Sequence, residues 1–248
     1  MGRSLTALAT VLAATTIAVA PTASAAPLAG QTQPAGGQTS QTVTPGQVGT
    51  SARDFASIFT GDNAPLSGAG WKACATPVVW TVDTRQLTPA EGAAQVRNLA
   101  WAFRQWSKVS GLSFQYAGEQ AVKYDDAAFT VTPADGSTVQ ARHVYLDFVG
   151  ASQSNRLGGG TVGLGSPSQV MPTTKEIVSG EAVFRTDHVK AATTSELKSL
   201  YLHELGHVLG LAHAQVPSNI MYPMVTDHTA LGLGDVNGVQ AMTQACTA

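Results

Sequence analysis

The stretch "YLHELGHVLGLAH", Tyr201 to His213, holds three of the chain's six histidines. His203 and His207 stand four positions apart, a spacing that puts both side chains on one face of a helix, about one turn from each other. Gly210 follows and favours the left-handed backbone conformation that ends helices, so the reversed chain returns His213 towards the first two. The spacing therefore predicts a helix, a glycine break and three converging imidazoles.

Three neutral imidazoles around one ion leave a coordination position open, which is typical of a catalytic zinc site rather than a structural one. We therefore predict that His203, His207 and His213 bind one Zn2+. Glu204 is adjacent to a ligand but points to another side of the helix, where it suits a base acting on metal-bound water. A buried helix with hydrogen-bonded core histidines is the alternative, although no helical face accounts for a third histidine beyond the break.

Further helices and strands are indicated elsewhere in the sequence. Thr88 precedes a helical run and Glu91 follows three positions later, which is a capping box and predicts a helix start. Thr193 and Glu196 repeat this relation ahead of the histidine-bearing helix, and Gly111 predicts the end of the first helix. Runs of β-branched and aromatic residues predict strands at 77–82, 112–116, 143–149, 158–166 and 181–185. Together these elements predict an α/β (α+β) domain with helices packed on a mixed sheet.

The first 26 residues have the features of a secretory signal peptide. A basic Arg3 precedes an apolar run over residues 5–20, and small residues at Ala23 and Ala25 favour cleavage near residue 25 or 26. No later segment has the roughly 20 apolar residues that a membrane span needs. We therefore expect a secreted, extracellular protein without a membrane anchor after cleavage.

Residues 27–70 are predicted to form a low-complexity linker or pro-segment ahead of the domain. Residues 27–50 are mostly Gln, Thr, Gly and Pro, with little apolar surface to bury, which predicts a linker or loose pro-segment. Further along, the spacing of Phe55, Ile58 and Phe59 predicts one amphipathic helical turn. Residues 71–248 have the length and composition of a single domain.

Charge and cysteine content limit the partners and the redox environment. The net charge is -2 with 14 basic residues, and these do not gather into a stripe, so nucleic acid and anionic membranes are not expected partners. We expect the chain to act as a monomer. Cys74 and Cys246 are its two cysteines, and in an oxidising compartment they predict one disulfide.

The histidine stretch also carries a family resemblance. Residues 203–213 look like the long zinc signature of metzincin metalloproteases, and "SNIMYP", Ser218 to Pro223, resembles the Met-turn that follows it. Further features are similar to the matrixin branch, namely Gly206, the pair Tyr222-Pro223, and segments 102–114 and 231–242 at the first and last helices. The resemblance covers about residues 71–248.

This resemblance implies a matrixin-like zinc endopeptidase. Its domain would have a mixed five-stranded twisted sheet with an active-site helix, a backing helix and a C-terminal helix. Peptide hydrolysis would use a zinc-activated water with Glu204 as general base, and Met221 would form the hydrophobic floor under the histidines. Segment 160–167, with Gly163 and Leu164, would be the edge strand that pairs with an extended protein or peptide substrate. A flexible glycine loop is the alternative for this segment.

The sequence departs from the matrixin pattern at several positions. Where matrixins often hold a structural zinc and calcium ions, this chain has Leu164, Val183 and Arg185, so one catalytic zinc is expected and the further ions are not. Of the two consecutive aspartates usual before the last helix, only Asp235 is present. Two other functions stay open, a secreted zinc-binding adhesion or inhibitor module without turnover and a narrow exopeptidase, although Glu204 favours turnover.

Two motifs bear on latency. "CATP", Cys74 to Pro77, resembles the matrixin cysteine switch, in which a pro-segment thiolate binds the zinc. Cys74 lies four residues before Val78, where the first strand is predicted to begin, and four residues span at most about 14 Å, which favours the disulfide with Cys246. "FTGD", Phe59 to Asp62, resembles an astacin pro-segment element whose aspartate binds the catalytic zinc. A solvated turn is the alternative for Asp62.

Overall fold

A computed structural model describes residues 53–59, 69–74 and 76–245, together with the backbone of residues 15–18. The rest of the predicted signal peptide, residues 27–52, Asp62 and Cys246 lie outside the described residues. The latency role predicted for Asp62 and the pairing predicted for Cys246 therefore stay predictions.

Strands and helices occupy the following ranges in chain order. The strands are β1 (Thr15–Ala18), β2 (Lys72–Ala73), β3 (Val78–Asp83), β4 (Phe114–Glu119), β5 (Val122–Asp125), β6 (Thr130–Pro133), β7 (His143–Val149), β8 (Thr161–Val170), β9 (Ile177–Arg185) and β10 (Gln244–Ala245). The helices are α1 (Pro89–Ser110), α2 (Thr186–Ala191), α3 (Thr194–Val208) and α4 (Leu233–Met242), with one 3-10 turn at Ala151–Gln153.

One mixed sheet forms the centre of the fold. Its order is β8-β9-β7-β3-β4, with parallel pairing everywhere except between β8 and β9, which run antiparallel. The predicted five-stranded mixed sheet is therefore confirmed. The backbone of β1 pairs antiparallel with the outer edge of β8, with Thr15 opposite Gly165 and Thr16 opposite Leu164.

Both long helices begin at the predicted capping boxes. Thr88 Oγ1 accepts the Glu91 N–H at 3.3 Å while the Glu91 carboxylate accepts the Thr88 N–H at 2.8 Å. The same reciprocal pair joins Thr193 and Glu196 at the start of α3. Gly111 ends α1 with φ +73°, as its position in the sequence predicts.

Two apolar layers enclose the sheet. Helices α1 and α3 cover one face, α4 packs against α1, and the Trp106 indole of α1 donates to the Leu202 carbonyl of α3 at 3.0 Å. The antiparallel hairpin of β5 and β6, which the sequence analysis did not identify, packs against β7 and β9. Leu164 and Val183 belong to the apolar cluster beneath this hairpin, so hydrophobic contacts occupy the positions where structural ligands would be sought.

Several predicted strand ends are wrong. The strand predicted at 158–166 begins at Thr161 and continues to Val170, and the one predicted at 181–185 already begins at Ile177. The alternative of a flexible glycine loop for segment 160–167 is wrong as well, because Gly163 and its neighbours form ladder pairs with β9. Pairing between strands, which is not a local property of the sequence, sets these ends.

The two chain ends of the domain meet in a short parallel ladder. Gln244 lies opposite Lys72 and Ala245 opposite Ala73. Among the described residues, no cysteine is free. The disulfide between Cys74 and Cys246 stays a prediction, because Cys246 lies outside the described residues.

Within the described residues, no helix is both long enough and apolar enough to cross a membrane.

Candidate active site

Helix α3 and the turn after it bring the three predicted histidines together. His203 and His207 lie one turn apart on α3 and are almost wholly buried. Gly210 then adopts φ +100°, and the chain doubles back so that the His213 ring lies 5.2 Å from that of His203 and 4.9 Å from that of His207. One ligand atom from each of the three lies within 4.8 Å of the others. This geometry suits a single metal ion.

Hydrogen bonds fix which ring nitrogen of each helical histidine faces the centre. His203 Nδ1 lies 2.7 Å from the Ile220 carbonyl, and His207 Nδ1 lies 2.7 Å from the Leu211 carbonyl. A carbonyl oxygen only accepts, so both Nδ1 atoms donate and a neutral ring keeps its lone pair on Nε2. Among the described residues, the Nε2 atoms of all three histidines are buried without a hydrogen-bond partner.

Burial also keeps these imidazoles neutral. It lowers the pKa of His203 well below the ordinary value, with a further lowering from the neighbouring histidines, and it lowers the pKa of His213. For His207, burial and then His213 lower the pKa to about 3. Three ring nitrogens without partners in the interior are unfavourable unless a cation meets them, and the neutral imidazole is the form that binds metal. The residues therefore fit a zinc ion.

Glu204 is the other group at this centre that lacks partners. Its side chain is completely buried, and neither carboxylate oxygen has a hydrogen-bond partner among the described residues. Burial raises its pKa well above the usual range. A carboxyl group in this state is a stronger proton acceptor than an exposed one.

Glycines in β8 allow the edge strand to approach Glu204. A Cβ atom at Gly163 would lie 2.6 Å from Glu204 Oε1, and one at Gly165 would overlap the Glu204 carbonyl oxygen. Both contacts are closer than side chains tolerate, so glycine is required for β8 to pass over α3 at this distance. Of the two predicted edge residues, Gly163 faces the centre while the Leu164 side chain is buried in the cluster on the other face of the sheet.

Met221 packs against the helix that carries His203 and His207, and its role as the floor of the histidine site stays a prediction. Its side chain is buried, and a Cβ atom at Gly206 would overlap its sulfur. Gly206 therefore allows Met221 to pack directly against α3. The turn that carries Met221 is held by Asp235 at the start of α4, whose carboxylate accepts the N–H groups of Ile220 at 2.7 Å and Met221 at 3.1 Å.

With this geometry established, comparison with known proteins identifies the family. The matrixin family model matches residues 71–244. The chain belongs to the matrixin family. Metalloendoproteinase 4-MMP of Arabidopsis thaliana is 39% identical to this matrixin over 59 residues, which are 23% of this chain and 17% of that protein. Metalloendoproteinase 2-MMP of the same plant is 36% identical over 67 residues, 26% of this chain and 17% of that protein. The matched segments thus span less than a fifth of each relative.

A segment ahead of the region that the family model matches contacts the loop after His213. Asp54 is buried, and its carboxylate accepts the N–H groups of Gln215 and Val216 and the side-chain amide of Asn219. The helical turn predicted from Phe55, Ile58 and Phe59 is wrong, because Ser57 instead forms an antiparallel bridge with Leu211. The apolar spacing correctly indicated burial for part of this segment, but no local pattern singled out Asp54.

Proposed function

We propose that this matrixin is a secreted, monomeric zinc endopeptidase that hydrolyses internal peptide bonds of extended protein or peptide substrates. One observation carries the proposal: three buried histidine Nε2 atoms converge without partners, and both carboxylate oxygens of the adjacent, buried Glu204 also lack partners among the described residues. Buried polar groups are normally hydrogen-bonded, so a converging set without partners indicates a site that a ligand and a reaction complete.

His203, His207 and His213 would hold the metal. When bound, zinc supplies a Lewis acid that polarises the scissile carbonyl and makes water a better nucleophile at neutral pH. Glu204 would take the proton from the attacking water and deliver it to the leaving amine. Its burial and lack of competing hydrogen bonds leave both oxygens available for that transfer.

The outer edge of β8 would bind the substrate backbone. β8 is the antiparallel edge of the five-stranded sheet and passes over Glu204 at Gly163. The backbone of residues 15–18 pairs with this edge, which supports its capacity to accept an extended chain. Main-chain pairing would present a scissile peptide beside the histidines without depending on side-chain identity. The segment 1–26 is the predicted signal peptide, so its removal would free the edge.

We further propose one zinc per chain. The three-histidine centre is the cluster of potential ligands that the described residues form, and the positions of Leu164 and Val183 are apolar. Neither nucleic acid nor, after signal cleavage, a membrane is a proposed partner, given the net charge of -2 and the absence of a basic stripe.

The test uses an internally quenched peptide blocked at both ends. The zinc-loaded chain should cleave it at an internal bond, and a chelator should abolish cleavage until zinc is restored. Cleavage only of peptides with free ends would favour the exopeptidase. Tight zinc binding without cleavage of a broad peptide library would favour the adhesion or inhibitor module, and either outcome contradicts the proposal.

A further inference from the structure

We propose that Asp54 is a positioning residue of the zinc centre, and that residues 53–59, here called the strap, belong to the working enzyme rather than to a removable pro-segment. The proposal rests on the proposed function only for its catalytic readout. The strap lies ahead of the matrixin match at 71–244, in a stretch whose composition indicated a linker or pro-segment.

The Asp54 carboxylate holds the loop that follows the third histidine. Its Oδ1 accepts the Gln215 N–H at 2.8 Å, and its Oδ2 accepts the Val216 N–H at 2.5 Å and the Asn219 side-chain amide at 2.9 Å. Asp54 is only 8% exposed, so water does not readily replace these bonds. Three donors between residues 215 and 219 thus depend on one carboxylate.

This loop connects two parts of the metal centre. It begins just after His213 and ends at Ile220, whose carbonyl accepts from His203 Nδ1. Asn219 couples the loop to α4, because its Oδ1 accepts the Gly234 N–H at 3.1 Å while its amide donates to Asp54. A shift of the loop would therefore move His213 and reorient His203 at the same time.

The strap also supports the acceptor of the second histidine. The Ile58 N–H donates to the Gly210 carbonyl at 3.1 Å, and the Ala212 N–H donates to the Ala56 carbonyl at 2.8 Å. Leu211, between these two bonds, offers its carbonyl to His207 Nδ1. The strap thus fixes the backbone on both sides of the residue that orients His207.

Groups that orient metal ligands affect metal affinity directly. Loss of such a partner lowers metal affinity or activity by about 10- to 100-fold, because the ligands must then be ordered at the moment of binding. Asp54 reaches the ligands through the loop and the strap, and it touches none of them itself. We therefore expect its removal to weaken zinc binding and to lower kcat, with little change in KM, since the β8 edge is untouched.

The experiment compares Asp54→Ala and Asp54→Asn with a matched control in the full chain. Asp125 provides the control, because its exposed carboxylate also accepts two loop N–H groups, from Ala127 and Ala128, but at the β5–β6 hairpin. Zinc dissociation constants are measured by competition with a chromophoric chelator, alongside kcat, KM and thermal unfolding of the metal-free protein. Asp54→Asn keeps the side-chain volume and replaces Asp54→Ala in these measurements if the alanine variant does not fold.

Zinc affinity at least 10-fold weaker in the Asp54 variant than in Asp125→Ala, with a lower kcat, is the expected result. Equal zinc affinity and kcat in a folded Asp54 variant and the control would overturn the proposal. A purely structural role would lower thermal stability alone, and this outcome also counts against it. The zinc dissociation constants can be compared even if the chain has no peptidase activity. Failure of this proposal can therefore be distinguished from failure of the proposed function.

Discussion

Glu204 lies on the histidine-bearing helix and Asp235 holds the turn that carries Met221; both carboxylates are buried, and they differ in what surrounds them. Glu204 is 0% exposed and has no partner for either oxygen, whereas Asp235 is 1% exposed and accepts N–H groups from Ile220, Met221 and Gly232. A buried acid that meets backbone donors stabilises a turn. One that meets none destabilises the fold and is retained for its chemistry.

The histidines repeat this contrast within single side chains. The Nδ1 atoms of His203 and His207 are bonded to carbonyls, and their Nε2 atoms are not bonded to any described residue. One nitrogen fixes the ring and the other is left for a ligand. Substitutions of groups that are hydrogen-bonded within the fold should therefore change stability, whereas substitutions of the unbonded groups should change zinc binding or turnover.

The largest effect is expected for Glu204→Gln. Removal of the proton acceptor should lower kcat/KM by about 10²- to 10⁴-fold, the usual contribution of general base catalysis. Zinc content should not change, because the three histidines remain, and thermal stability should not fall, because no hydrogen bond is lost. Quenched-peptide kinetics with elemental analysis provides the check. Near-normal turnover in the zinc-loaded variant would remove Glu204 from the mechanism.

Asp235→Ala should show the opposite result to Glu204→Gln, because it should mainly lower stability and not turnover. Three backbone N–H groups lose their acceptor, and each unsatisfied buried donor costs about 1–3 kcal/mol. We expect the free energy of unfolding to drop by roughly 3 kcal/mol or more, as measured by denaturant titration. If Asp235→Ala unfolds like the wild type but loses turnover, the distinction between structural and chemical carboxylates is mistaken here.

Whether a feature could be predicted from the sequence depends on how far apart along the chain its hydrogen-bonded residues lie. Both capping boxes, the helix ends at Gly111 and Gly210, and the placement of His203 and His207 on one face of α3 follow from relations within a few residues along the chain. Such patterns can be recognised in a single sequence. The predicted metal-binding roles themselves await measurement.

Contacts between distant segments were not predictable in this way. Asp54 bonds to Gln215 across 161 positions, from a stretch with little to mark it. Asp235 was recognised only as the remaining member of an aspartate pair, although it fixes the turn that carries Met221. The glycines of β8 were ambiguous for the same reason. They allow the strand to approach Glu204, a distant residue, and do not form a local turn.

Gly163→Ala tests that proximity with a single methyl group. The added carbon would lie 2.6 Å from Glu204 Oε1 and 2.9 Å from Leu200 Cδ1, so either β8 or Glu204 must move. Overpacking of this kind costs about 1–3 kcal/mol, and turnover should fall while zinc binding is kept. Gly118→Ala in β4 is the control, because its new carbon meets nothing within 4 Å and its φ of +106° adds strain alone. Equal activity in the two variants would contradict the close approach.

The smallest effect concerns a third buried carboxylate, Glu181, which stands between the other two in its number of donors. It is 2% exposed and accepts one N–H, from Val131 at 2.7 Å, on the hairpin side of the sheet. Burial raises its pKa to about 8, against an ordinary value of 4.5. The folded chain therefore retains a proton at Glu181 over a pH range in which the unfolded chain has released it.

The sign of the pH dependence follows from this difference. The contribution of protonated Glu181 to the free energy of unfolding is complete below about pH 4.5 and is lost as the pH rises towards 8. Glu181→Gln imitates the protonated acid and still accepts the Val131 N–H, so its stability should match the wild type at pH 5 and exceed it at pH 8. We expect the difference in the free energy of unfolding, measured by urea titrations, to grow steadily between pH 5 and pH 8. Glu176→Gln, at a half-buried glutamate paired with Lys72, is the control. Parallel stability curves for Glu181→Gln and the wild type would show that one backbone donor is enough to keep a buried carboxylate ionised, as in a structural turn.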